Sequence, residues 1–125
     1  KAADVERSER RVRPPYGVDW PSKASYIPGT LIENLNGWSS VKIDNSKNDY
    51  ALHLKLVDLK TNRRVREVYL PQFEEFVIDA IEKGSYDIRL KYLNSGEMKK
   101  IPRFELPESL EGATTYEFTL YNVVD

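Results

Sequence analysis

Tyr86, Ile88, Leu90 and Tyr92 alternate with Asp87, Arg89 and Lys91. A strand turns successive side chains to opposite faces, so this stretch has one apolar face and one wet face. Glu82-Lys83-Gly84 ahead of it and Asn94-Ser95-Gly96 behind it supply turns. The stretch from Gly84 to Tyr92 reads as the central core strand, with Gly84 for the turn and Tyr86, Ile88 and Leu90 for packing.

The same alternation recurs along the chain. Trp38 to Asp44 reads as a strand with Val41 and Ile43 inward. Asp44-Asn45-Ser46-Lys47-Asn48-Asp49 is a turn cluster. From Tyr50 to Leu59, Leu52, Leu54 and Leu56 fall on one face and His53 and Lys55 on the other. A helix would scatter those leucines, so the alternation outweighs their helical propensity. Asp58 to Asn62 is a hairpin connection, and Arg63 to Leu70 is the returning strand, ended by Pro71.

Phe73 to Ile81 fits both periods. Phe73, Phe76, Val77, Ala80 and Ile81 match helical spacing, whereas short length and β-branched content favour a strand. Met98 to Leu106, interrupted by Pro102, reads as an edge strand. Pro107 to Gly112 is a loop with room for one helical turn. Thr114 to Val124 reads as a long closing strand, with Tyr116, Phe118 and Leu120 on one face. Tyr26 to Ile32, broken by Pro28-Gly29, suits an edge strand with a turn or bulge. Seven or eight short strands at near-regular spacing specify an all-β fold, a single antiparallel β-sandwich.

Composition excludes several classes. The chain has 125 residues, suited to one domain, and 31% of them are charged with a net charge of −1. Such a balance gives no global pull toward nucleic acid or an anionic membrane. No apolar run approaches the ~20 residues of a membrane span. Cysteine is absent, so disulfides and thiolate metal sites are excluded.

Residues 1–15 read as an extended charged linker or tail and residues 16–125 as the domain. Lys1 to Arg13 carries five basic and three acidic residues with little apolar surface. A start at Lys1 suggests a processed chain or a piece of a longer protein. Pro14-Pro15 stops any helix. Tyr16-Gly17-Val18-Asp19-Trp20-Pro21 follows as an extended aromatic stretch, read first as an anchor across the domain surface and second as a partner contact. Tyr16, Trp20 and Trp38 are the candidate partner-contact residues.

No catalytic, cofactor-binding or metal-binding residue is assigned. His53 is the single histidine and has no second imidazole or thiol with which to share a metal. The Asp44–Asp49 cluster lacks the spacing and terminal Glu of a Ca²⁺ loop, and Lys47 would oppose a cation. Glu74, Glu75, Asp79 and Glu82 place carboxylates near one strand without a sequence sign that they converge. Arg63, Arg64, Arg66, Arg89, Lys91, Lys99 and Lys100 would form a basic face if their strands are neighbours. Tyr69 and Tyr121 would be its only aromatics, and charges that keep strand edges from aggregating explain the pattern better. The glycines are isolated, so there is no phosphate loop.

Two resemblances add to this reading. Lys83-Gly84-Ser85-Tyr86-Asp87-Ile88-Arg89-Leu90 resembles the glycine-x-tyrosine strand of carboxypeptidase-regulatory-like and other transthyretin (prealbumin)-like sandwich domains. Over most of its length the chain is similar to an uncharacterised group of bacterial C-terminal domains. The stretches that carry this are Asp19-Trp20-Pro21, Val41 to Asn48, Leu54-Lys55-Leu56, Val65-Arg66, Gly84 to Arg89, Phe104-Glu105-Leu106 and Thr119-Leu120-Tyr121. The chain departs from the group at Gln72-Phe73-Glu74-Glu75, where a glycine is usual, and at Ile81-Glu82-Lys83, where a proline-rich approach is usual. The resemblance implies a prealbumin-like or immunoglobulin-like sandwich in an accessory role, with no catalytic residues to carry over.

The expected function is a non-enzymatic accessory or protein-interaction domain of a larger bacterial protein. Its partner would be protein: the parent chain, another protein, or a second copy through strand edges. Nucleic acid, membrane insertion and cofactors are not expected. The alternative is a module binding carbohydrate or another ligand, motivated by Trp20, Trp38 and eight tyrosines.

Overall fold

A computed structural model of the chain describes residues 13–17, 19–107 and 115–121. Eight strands form two sheets, with no α-helix among the described residues. The strands are β1 (Ser25–Tyr26), β2 (Ser39–Asp44), β3 (Leu52–Asp58), β4 (Arg63–Leu70), β5 (Glu75–Ile81), β6 (Gly84–Tyr92), β7 (Met98–Leu106) and β8 (Thr115–Thr119). The larger sheet runs β1-β4-β3-β6-β7 and the smaller runs β5-β2-β8. The all-β sandwich is therefore present. Every pairing is antiparallel except β2–β8, which is parallel.

The core follows from the alternation. Leu52, Leu54 and Leu56 of β3 lie opposite Leu70, Val68 and Arg66 of β4 and opposite Tyr92, Leu90 and Ile88 of β6. Their inward side chains meet Val41 and Ile43 of β2 and Ile78 and Ile81 of β5 in one buried cluster. β2 pairs with β5 in one sheet and β3 with β6 in the other, so the chain crosses repeatedly between the two layers. Tyr86 ties one such crossing. Its hydroxyl donates to the Glu82 carbonyl four residues upstream at 2.8 Å, the geometry of a tyrosine corner between strands of different sheets. A Cβ on Gly84 would meet the Tyr86 ring at 3.3 Å, so the glycine leaves room for that ring as well as turning the chain.

Residues 73–81 resolve as turn and strand, with β5 beginning at Glu75. Phe73 is left outside at positive φ, and Ile78 and Ile81 point inward. The stretch from Tyr26 to Ile32 is mostly not a strand. Only Ser25–Tyr26 pairs with β4, because Pro28 and Gly29 turn the chain away. The closing strand is shorter than the alternation suggests: β8 ends at Thr119, and Leu120 and Tyr121 continue outside it. The helical turn expected after Pro107, the residues beyond Tyr121 and the charged segment up to Val12 lie outside the described residues.

Candidate functional site

Three surfaces bear on function, and each begins from a local rule of the sheet. The first is the wet face of β3, where the alternation puts His53. The structure covers it. Trp20 from the extended aromatic stretch stacks on Tyr69 at 5.5 Å and meets the His53 ring edge-on at 5.6 Å. Ile27, Ala51, Tyr69 and Leu93 form a second buried cluster beneath Trp20. Trp20 thus has the geometry of an anchor.

His53 Nε2 lies 3.0 Å from Glu67 Oε1, with both side chains almost wholly buried. The contact is a hydrogen bond between the imidazole and the carboxyl group. Burial pushes the His53 pKa below its ordinary value, and the Glu67 contact pushes it partly back. The pair is a buried hydrogen bond under an aromatic lid, with no nucleophilic side chain hydrogen-bonded to the imidazole among the described residues.

The second surface is the segment 29–38, which crosses from the larger sheet to the smaller. Its backbone is tied down at many points. Glu33 N–H donates to the Val65 carbonyl at 3.1 Å, Gly37 N–H to the Ala80 carbonyl at 3.3 Å, and the Asn34 carbonyl accepts from Glu82 N–H at 3.0 Å. Asn34 Nδ2 donates to Asp58 Oδ2 and to the Tyr86 hydroxyl. The buried Arg66 guanidinium donates to the Glu33 carbonyl and reaches the Asp79 and Ala80 carbonyls of β5.

Four large apolar side chains of this pinned segment nonetheless face solvent: Leu31 (70% exposed), Ile32, Leu35 (53%) and Trp38 (68%). Trp38 is therefore at the surface beside β2, whereas Trp20 is packed on the other sheet, so the two tryptophans share no platform. Tyr16 falls in a short 3₁₀ turn, Pro15–Gly17.

The third surface is a groove of about 610 Å³ over the outer face of the larger sheet. Lys55, Arg63, Arg64 and Arg89 line it, with Glu67 as the one carboxylate and Leu31, Val57 and Met98 as apolar walls. The neighbouring order β4-β3-β6-β7 brings most of the basic residues noted in the sequence to this face. Arg66 is the exception. A bulge opposite Leu56 and Val57 turns it inward beside Val65, and it serves the core edge rather than the basic face. Lys99 also departs, lying over the Tyr92 ring at 5.7 Å. Tyr69 is buried, which removes it as an exposed stacking partner for a base.

The Asp44–Asp49 cluster closes its own turn. Asp44 Oδ1 accepts from Ser46 N–H at 2.9 Å, and Asn45 and Asn48 are buried, donating to backbone carbonyls of Tyr50, Pro71 and Leu120. Among the described residues no three of His, Cys, Asp and Glu gather as metal ligands. No described helix is long and apolar enough to cross a membrane.

The fold and these surfaces define a β-sandwich domain with a rigid apolar loop and a basic groove. No protein-family model, curated protein or solved structure matches the chain.

Proposed function

We propose that the chain is a non-enzymatic protein-interaction module whose contact surface is the 31–38 segment. It would act as an accessory domain of a larger bacterial protein, as the resemblance to C-terminal sandwich domains implies. One observation carries the reading: four large apolar side chains are held out of the core by a backbone that is itself tightly bonded. Exposed apolar groups gathered on one surface mark interaction sites. A loop already fixed by Arg66 and Asn34 loses little further entropy when a partner covers it.

The carbohydrate reading has less support. It asked for a platform of exposed aromatics, and the Trp20 ring is stacked on Tyr69 instead.

A photocrosslinking phenylalanine analogue in place of Trp38, in the parent protein within its own cells, tests the proposal. A discrete crosslinked product, lost when Leu35→Ser is added, is expected. No product beyond that from the exposed hairpin residue Lys60 would overturn it.

A further inference from the structure

The groove on the outer face of the larger sheet concentrates positive charge across neighbouring strands. Lys55 of β3 lies directly opposite Arg89 of β6, and Arg89 lies directly opposite Lys100 of β7. Three cations thus run side by side across three adjacent strands, with the single buried carboxylate of Asp87 set 3.3 Å from Arg89 and 3.9 Å from Lys100. Like charges at opposed positions destabilise a sheet. The whole chain carries a net charge of −1, so this concentration of positive charge is local and not a by-product of composition.

The arginines are also oriented. Arg64 Nε lies 3.5 Å from Glu67 Oε2, and Arg89 Nε lies 3.3 Å from Asp87 Oδ1. Both carboxylates are almost wholly buried while both guanidinium groups remain about half exposed. Each arginine thus has its Nε beside a buried carboxylate and its planar guanidinium fork partly in solvent. That fork is the geometry that binds carboxylate or phosphate oxygens in pairs. Lys55 sits between the two, opposite Glu67 on one side and Arg89 on the other. Val57, Leu31 and Met98 supply apolar wall beside the charges.

We propose that this groove binds a small organic anion carrying at least two phosphate or carboxylate groups, with Arg64, Arg89 and Lys55 as its direct ligands. A volume of about 610 Å³ suits a small molecule, whose typical sites span ~300–1,000 Å³. The bounded groove favours that over a polymer. The groove shares Leu31 with the apolar loop, but its proposed ligands Lys55, Arg64 and Arg89 stand on β3, β4 and β6, so anion binding is tested independently of a protein contact at Leu35 and Trp38.

The test is calorimetric titration of the 125-residue chain with pyrophosphate and with citrate, in sodium chloride at matched ionic strength. Saturable binding of either is expected: pyrophosphate alone assigns phosphate, citrate alone assigns carboxylate. Lys55→Gln/Arg89→Gln is expected to weaken binding about tenfold or more, as loss of charge-assisted hydrogen bonds requires. Without an anion this variant is expected to melt lower than the parent, because Arg89→Gln takes a hydrogen-bonded cation from the buried Asp87 carboxylate. Lys55→Gln alone, which keeps the Arg89–Asp87 contact, guards against a folding defect and is also expected to weaken binding. Trp38→Ala is expected to bind unchanged. Heat and affinity no greater than chloride produces, a response to heparin alone, or unaltered binding by both glutamine variants would overturn the proposal.

Discussion

Tyr86 is wholly buried, and its hydroxyl both donates to the Glu82 carbonyl and accepts from Asn34. Tyr86→Ala removes a ring from the centre of the core and is expected to destabilise the chain by roughly 3–5 kcal/mol. Tyr86→Phe keeps the ring and loses only the two hydrogen bonds, at about 1–3 kcal/mol. Urea denaturation of the pair separates packing from bonding; an alanine variant that unfolds at the parent's midpoint would refute the assignment. His53 gives a pH dependence. Its folded pKa lies below the ordinary 6.5 because burial disfavours the charged ring. The unfolded chain then binds the proton more readily, so this contribution is complete above pH 6.5 and is lost as pH falls toward the lower folded value. His53→Gln is expected to flatten the decline in urea midpoint between about pH 7.5 and about pH 5.5. An unchanged slope would mean that His53 does not titrate differently on folding. Neither the lid over His53 nor the inward turn of Arg66 is written in local sequence. Alternation marks His53 as wet, and Trp20, which covers it, is far away along the chain.

Elements owe their existence to patterning and their exact pairing to irregularities within it. The bulge in β4 sets Val65 and Arg66 on the same side, and a second irregularity pairs Ser39 with Ile81 but Val41 with Ile78. At the latter Ala80 takes a φ of 53°, a left-handed value unusual for a residue with a Cβ. Its carbonyl receives both Gly37 N–H and the Arg66 guanidinium. The crossing segment is therefore seated by contact of backbone on backbone. A Cβ on Gly37 would lie 1.9 Å from the Ile81 carbonyl oxygen, where no side chain can yield. Gly37→Ala is expected to displace the segment at a cost of about 1–3 kcal/mol. It is also expected to speed amide exchange at Glu33 and Gly37 while β3 and β6 stay protected. Protection unchanged at those two amides would show that the segment is seated some other way.

The whole molecule depends on residues that meet only after the chain has folded across itself. β8 lies parallel to β2, and its Tyr116 and Phe118 reach Phe104 of the opposite sheet at 6.0 and 5.0 Å between ring centres. Phe104 in turn faces Tyr86 at 6.4 Å. Ending the chain ahead of Thr115 is expected to open that aromatic row and leave one side of β2 unpaired. Dye-binding apolar surface and loss of a sharp thermal transition should follow; a sharp transition near the parent's would show that β8 is dispensable. The sequence by itself determined most of the strands, most of their inward residues and the all-β sandwich class, because period-2 alternation is a property of neighbouring residues; the Tyr26–Ile32 stretch and the inward Arg66 are where it misleads. Even the ambiguous 73–81 stretch follows its β-branched content. Only the tertiary structure decided which wet faces are covered, that Trp20 anchors while Trp38 protrudes, and that Lys55, Arg64 and Arg89 share one groove. Those outcomes depend on sheet order, on bulges that change register by one residue, and on contacts between distant segments, none of which local alternation encodes.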